Sequence, residues 1–240
     1  ISGAVAKATG TYFAASIVVM GLAYLVARAL RLDRRTTGGL MLASMFGNTA
    51  FLGYPVINAA FPGRHDATLS MVIVDQFGML FTLNTVGVVV ASSFAGAGFQ
   101  RSSLLEFLKT PLFPVTVLAI TLHSVHIPAL VTGTLTHLAA MTTPLAMISI
   151  GLSLSSGSAR QYPVPLVAAF VLKMLVMPLL VFFALPLIGV TGITAKVAIV
   201  ESAMPTAVLA GVTAGRYGAN GPLVAGAVLL STLASIVLLP

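Results

Sequence analysis

The sequence predicts an all-α membrane protein, and three observations carry that reading. Of its 240 residues, 58% are hydrophobic and only 7% are charged, whereas soluble domains carry about 25% charged residues. Uncharged or nearly uncharged stretches of about 20 residues, the length a helix needs to cross roughly 30 Å of hydrocarbon, recur along the whole chain. Basic residues gather in alternate connections, as they do when a chain passes back and forth through a bilayer. A β-barrel would show alternating strands of about ten residues in place of these long apolar runs.

Eight spans follow in order. The first, Ala8 to Ala27, ends in the basic turn "RALRLDRR". The second, Gly38 to Pro62, is uncharged but carries "GNTAFLGYP" (Gly47 to Pro55) at its centre. Gly47 and Gly53 permit non-helical dihedrals, and Pro55 removes a backbone donor and clashes with the preceding turn. The helix is therefore predicted to break, with Gly47 and Asn48 closing one half and Pro55 opening the next. Irregular backbone at bilayer depth is tolerated only where protein buries it or a watery cavity meets it. The third span, Ala67 to Ala95, holds Asp75 and Gln76. A loop from Gly96 to Lys109 leads to the fourth and fifth, Thr110 to Ile127 and Pro128 to Ser156. The sixth, Pro163 to Val190, contains Lys173. The seventh, Val197 to Gly215, is broken by Pro205, with Glu201 and Ser202 before it and Thr206 after it, and Gly221 to Pro240 closes the set. No linker separates soluble domains, so the chain reads as one membrane domain.

If the chain changes sides at each span, one side receives Arg28, Arg31, Arg34, Arg35, Arg101, Lys109, Arg160 and Arg216. The other receives Lys7, Arg64 and Lys196. The positive-inside rule puts the richer side in the cytoplasm and Ile1 outside, in an inner (plasma) membrane. The net charge of +7 is thus topological, and no nucleic-acid partner is expected. The absence of cysteine excludes thiol redox chemistry and Cys metal sites. The opening "ISGAVAKATG" has no basic region before an apolar core, unlike a signal peptide.

Spans one to three mirror spans six to eight, each set being a long helix, a broken one, a turn and a closing helix. Spans four and five have no counterpart. A five-helix repeat is then complete at the C-terminal end and two helices short at the N-terminal end, so that eight of ten helices are expected here. An odd-numbered repeat must be inverted in the membrane, and paired interrupted helices in two halves point to a secondary transporter site.

"NTAFLGYP", "TPLAMISIGLSL" (Thr143 to Leu154) and "ESAMPTAVLAGVTAGRYG" (Glu201 to Gly218) resemble, in this order, conserved-looking blocks of the auxin efflux carrier family. Ala50 stands where many members have glycine, and the second break has one proline where plant auxin carriers have two, which argues against auxin itself. The resemblance implies inverted repeats crossing at the two breaks, an architecture shared with the bile-acid sodium symporters. It further implies a scaffold, a mobile transport domain and an elevator-like movement of organic anions. Transferred here, residues 1–98 and 161–240 supply the transport-domain helices. Residues 110–158 supply scaffold helices, which are the candidate surface for a homodimer.

The expected substrate contacts are Asn48, Thr49, Gly53 and Pro55 at the first break and Met204, Pro205 and Thr206 at the second. Half-helix amides carry partial positive charge and favour a bound carboxylate without arginine. Asn48 and Thr49 have a second reading as caps of the broken helix, and Pro55 and Pro205 are structural under either. Ionisable residues at membrane depth are functional candidates by default, which selects Glu201, Asp75 and Lys173, with Gln76 beside Asp75. Glu201 is the preferred proton carrier. Asp75 and Gln76 are a coupling-ion site or a satisfied packing pair, and Lys173 is a gate or an ion-pair partner of Asp75 or Glu201. Lys196 is expected to snorkel, His137 to be a hydrogen-bonded structural residue, and "GVTAG" (Gly211 to Gly215) to mark close helix packing. His123 and His126 sit at an outer loop.

An intramembrane hydrolase would want an H-E-x-x-H ligand set or a serine with a positioned base, and neither is present. An aspartic dyad would have to recruit Glu201 for Asp75. No cofactor or resident metal is expected. Sodium coupling is the alternative to proton coupling, with Asn48, Thr49, Gln76 and Glu201 as oxygen ligands. A transporter-like sensor or channel is the alternative to transport.

Overall fold

The computed structural model describes residues 2–96, 112–122, 125, 127–153 and 161–238. Arg101, Lys109, Arg160, His123, His126 and the end of the Thr143 to Leu154 block lie outside the described residues. The helices are α1 (Gly3–Ala29), α2 (Arg34–Met45), α3 (Tyr54–Ala60), α4 (His65–Ala95), α5 (Leu112–Thr121), α6 (Ala129–Ser153), α7 (Pro163–Leu187), α8 (Gly192–Ala203), α9 (Val208–Tyr217) and α10 (Gly221–Leu238). Four of them, α1, α4, α7 and α10, are long and apolar enough to cross a membrane unaided. The second and seventh predicted spans are each split in two, into α2 with α3 and α8 with α9. The described residues form an all-α membrane fold.

Local chemistry sets the ends of these helices. Asp33 opens α2 by accepting a hydrogen bond from the Thr36 N–H at 3.1 Å, satisfying one of the donors that a helix start leaves free. Gly218 closes α9 at φ +83°, and a Cβ there would lie 2.9 Å from that of Ala95. Only glycine allows both the dihedral and the approach. Two long helices carry wider π turns, at Val74–Leu80 and Leu83–Gly87 in α4 and at Leu172–Val176 in α7. Such turns re-aim side chains and recur at functional sites. Asp75 and Lys173 each sit in one.

The core is organised around α2, whose residues from Thr36 to Met45 are all buried. Helices α1, α4, α7, α9 and α10 pack around it. Gly38 and Gly39 make that possible, since a Cβ on either would come within 3.0 Å of Phe94 or of the Asn220 carbonyl oxygen. The outer faces are apolar, with Leu25, Phe183, Leu187 and Val237 exposed, as suits a surface in lipid. Helices α5 and α6 are covered far less. Leu130, Leu135, Leu138 and Leu145 of α6 are exposed, and its packing partner is the Thr49–Gly53 turn.

The charges separate by end. The last turn of α1, the start of α2 and the end of α9 gather Arg28, Arg31, Arg34, Arg35 and Arg216, joined through the Asn220 N–H donating to the Arg35 carbonyl oxygen at 3.0 Å. At the other end Lys7 donates to the Ile188 carbonyl oxygen at 3.2 Å, and Arg64 pairs with Asp66 at 2.7 Å. Lys196 is exposed near this end.

Candidate functional site at the crossing of two broken helices

Both interruptions leave extended backbone in the middle of the bundle. Phe46 follows α2 at φ −100°, ψ 124°, and Met204 follows α8 at φ −59°, ψ 142°. The two extended pieces run antiparallel and form one β-bridge, between Gly47 and Thr206. The Asn48 N–H donates to the Pro205 carbonyl oxygen at 2.6 Å, and the Ala207 N–H donates to that of Phe46 at 2.9 Å. Each broken helix also ends in carbonyls without helical partners, a serious cost at bilayer depth. The neighbouring elements supply donors. Thr206 Oγ1 donates to the Ala43 carbonyl oxygen at 2.9 Å, and Lys173 Nζ to that of Ser202 at 2.6 Å. The Thr206 N–H is taken by Ser231 Oγ at 3.0 Å.

Gly47 sits in a crowded place. A Cβ there would lie 3.2 Å from Lys173 Nζ and 3.3 Å from the Tyr12 hydroxyl oxygen. Beyond it, Thr49–Gly53 makes a π turn whose first carbonyl, that of Asn48, accepts from the Leu52 and Gly53 N–H groups at 3.1 and 3.2 Å. Thr49 Oγ1 donates to Asp75 Oδ1 at 2.5 Å, and Gln76 Nε2 donates to Asp75 Oδ2 at 3.1 Å. The Glu201 carboxyl group lies against Gly53, where any Cβ would collide with it, and is within electrostatic reach of Asp75 and Lys173. Asn48, Thr49, Asp75, Lys173, Glu201 and Thr206 are all at most 2% exposed. Within this knot, the Asn48 side-chain NH2 and both Glu201 oxygens meet no hydrogen-bond partner among the described residues.

The structure thus brings Asn48, Thr49, Gly53, Asp75, Gln76, Lys173 and Glu201 together with the Met204–Thr206 strand. Pro55 stands outside the knot, half-buried at the opening of α3. Capping explains neither Asn48, whose side chain caps nothing, nor Thr49, whose hydroxyl goes to Asp75. No carboxylate oxygen lies within 4.0 Å of Lys173 Nζ among the described residues, where the ion pair found is Arg64–Asp66. The Lys173 ammonium is used on the end of α8 instead. Asp75 and Gln76 do bond to each other. His137, expected to be hydrogen-bonded, is exposed on α6, because that helix has little packed against it. "GVTAG" does not mark a close packing of helices: a Cβ on Gly215 would meet nothing within 4 Å, and one on Gly211 only Val224 at 3.8 Å.

Two residues of the site escaped the sequence reading. Tyr12 is fully buried with its ring on Gly78 and its hydroxyl at Gly47. Its one signal was its depth among small residues in "GTYFAAS", away from the interfacial belt where tyrosines usually sit. Ser231 is one of three hydroxyl residues, with Thr232 and Ser235, in an otherwise apolar helix and gave no signal of its partner.

The sequence profile of a family described as membrane transport protein matches residues 4–240. The chain belongs to this family. It is the auxin efflux carrier family, to which the three sequence blocks already pointed. The transporter is also 32% identical over 224 residues to an uncharacterized transporter of Methanocaldococcus jannaschii, covering 91% of this chain and 71% of that protein. It is 30% identical over 220 residues to an uncharacterized transporter of Methanothermobacter thermautotrophicus, with the same shares covered. It is a multi-pass membrane protein whose relatives bear the name of transporters, and the crossing is its most polar buried region.

Proposed function

We propose that the transporter carries a small organic anion with a carboxylate group, as a secondary active transporter of the elevator type coupled to protons. The observation that carries this reading is the pairing of unused groups at the crossing. Asn48 offers two side-chain donors to a carboxylate, and the amides opening the Thr49–Gly53 turn and α9 add partial positive charge. Glu201, in contrast, holds two oxygens that meet no donor. A carboxyl group so placed is satisfied by taking a proton or by meeting a cation, which is what coupling requires. In this reading the two breaks form an inverted-repeat crossing, carried by a mobile body made of α1 to α4 and α7 to α10. Helices α5 and α6 belong to the scaffold and to a homodimer contact, and the arginine-rich end faces the cytoplasm across a plasma membrane.

The test is uptake and counterflow of a panel of small carboxylates in proteoliposomes of the full-length protein, with imposed proton or sodium gradients. Glu201→Gln should abolish accumulation driven by a proton gradient and retain substrate exchange, which involves no net proton movement. Full pH-driven accumulation by this variant would remove Glu201 from the coupling role. Accumulation that follows sodium and ignores the proton gradient would favour the sodium reading, with Thr49, Asp75 and Glu201 oxygens as ligands. Single cysteines at Arg31 and His65 in this Cys-free chain should be labelled from opposite sides, the first from the cytoplasm. Labelling from one side would refute the topology.

A further inference from the structure

At the arginine-rich end, the last turn of α1, the start of α2 and the end of α4 enclose a cavity of about 400 Å³ lined by Tyr24, Arg28, Leu32, Arg34, Thr37 and Phe94. The crossing does not use it. We propose that this cavity is a binding site for the phosphate headgroup of an anionic phospholipid.

Three features prepare it for that ligand. The first is the fixed cation. Arg34 Nη2 donates to the Ser93 carbonyl oxygen at 3.0 Å, which holds the guanidinium at the end of α4 and leaves its other N–H donors for an anion. Arg28 faces the same cavity from the last turn of α1, and no carboxylate lies within 4.0 Å of either arginine among the described residues. Asp33 is engaged in capping α2. The second is the apolar wall. Tyr24 and Phe94 meet edge to face, their centroids 6.1 Å apart, and with Leu32 they offer an apolar surface to the glycerol and first methylenes of a lipid. A soluble anion has no use for that wall. The third is the turn. Arg31 adopts a left-handed conformation at φ 53°, in the position that closes α1, where glycine is usual. The turn brings Arg34 back toward Arg28, and the Arg31 side chain itself lines no part of the cavity. Basic pockets between membrane helices at the headgroup level suit phosphodiester lipids.

The purified transporter, reconstituted with equal amounts of phosphatidylglycerol and phosphatidylcholine and then examined by native mass spectrometry, should retain phosphatidylglycerol preferentially. With each cation contributing about fivefold near an anionic surface, Arg28→Gln/Arg34→Gln should lower that preference roughly thirtyfold. Arg31→Gln/Arg35→Gln, outside the cavity but equal in charge, should change it far less. Equal retention of both lipids by the wild-type protein would overturn the proposal, as would an equal loss in the two double variants, which would mean diffuse attraction. Release of bound phosphatidylglycerol by inorganic phosphate would assign the cavity to a soluble anion and overturn the lipid. The wild-type Tm in detergent, raised by phosphatidylglycerol and not by phosphatidylcholine, gives a readout that needs no variant. No change in Tm with either lipid counts against the site.

Discussion

The two breaks meet at one bridge but differ in how they treat the groups the interruption sets free. At the second, the Ser202 carbonyl is held by Lys173, the Thr206 N–H by Ser231 and the Thr206 hydroxyl by Ala43. It is short, passing from the end of α8 at Ala203 to the start of α9 at Val208. At the first, the chain wanders from Phe46 through a π turn to Tyr54, and the Asn48 side-chain NH2 meets no partner among the described residues, nor do the oxygens of Glu201, which reaches from α8 to Gly53. Buried polar groups are nearly always satisfied, and an exception calls for an explanation. Under the proposed function, one break is a fixture and the other is where a ligand would complete the structure.

Perturbing the fixture should cost most. Lys173→Met keeps the length of the side chain and withdraws the donor from the Ser202 carbonyl, and it should destabilise the purified transporter by about 2–3 kcal/mol in unfolding measurements. Thr206→Val, which strands the Ala43 carbonyl without changing volume much, should lose about 1–2 kcal/mol. Asn48→Ala removes a side-chain NH2 that meets no partner among the described residues, so stability should hold within about 0.5 kcal/mol. Affinity for the transported anion should fall about tenfold, the loss of one hydrogen bond to a charged group. If Asn48→Ala lowered stability as much as Thr206→Val and left affinity intact, the contrast between the breaks would fail.

A smaller effect sharpens the comparison from outside the membrane. Hydrogen bonds from Thr36 hold the Asp33 carboxyl below the usual aspartate range. A depressed value means that the folded state favours the ionised form, so the stabilisation is complete above the ordinary aspartate pKa and is lost as the pH falls through the folded value. Asp33→Ala should remove about 1 kcal/mol of cap energy at neutral pH. In acid the difference from wild type should vanish. A difference that persisted unchanged in acid would mean that Asp33 does not act through its charge.

Much of this was legible in the residues. Apolar length gave the four long helices α1, α4, α7 and α10 to within about five positions, and Pro55 and Pro205 gave both breaks, because their effect on a helix is local and independent of context. What the chain does across space was not legible. The Lys173 side chain was expected either as a gate or on a carboxylate, yet a helix broken at Ala203 exposes a carbonyl that wants a donor just as strongly. The burial of α2 was hidden for a similar reason. "TTGGLMLASM" looks unremarkable until Phe94 and the Asn220 carbonyl are found pressed against its glycines. The partners of Tyr12 and Ser231 depend on packing between distant segments, which no local pattern encodes.

The bridge between Gly47 and Thr206 is made by main-chain atoms, those of Phe46, Asn48, Pro205 and Ala207. Such a joint is indifferent to most of the side chains that hang from it. Gly47 is crowded by Lys173 and Tyr12, which would have to shift for any larger residue, but position 48 can change its chemistry without loosening the crossing. If Asn48 meets the substrate as proposed, descendants of a single ancestral gene could diverge in cargo by substitution at this position, while the mechanical frame that presents it is inherited intact.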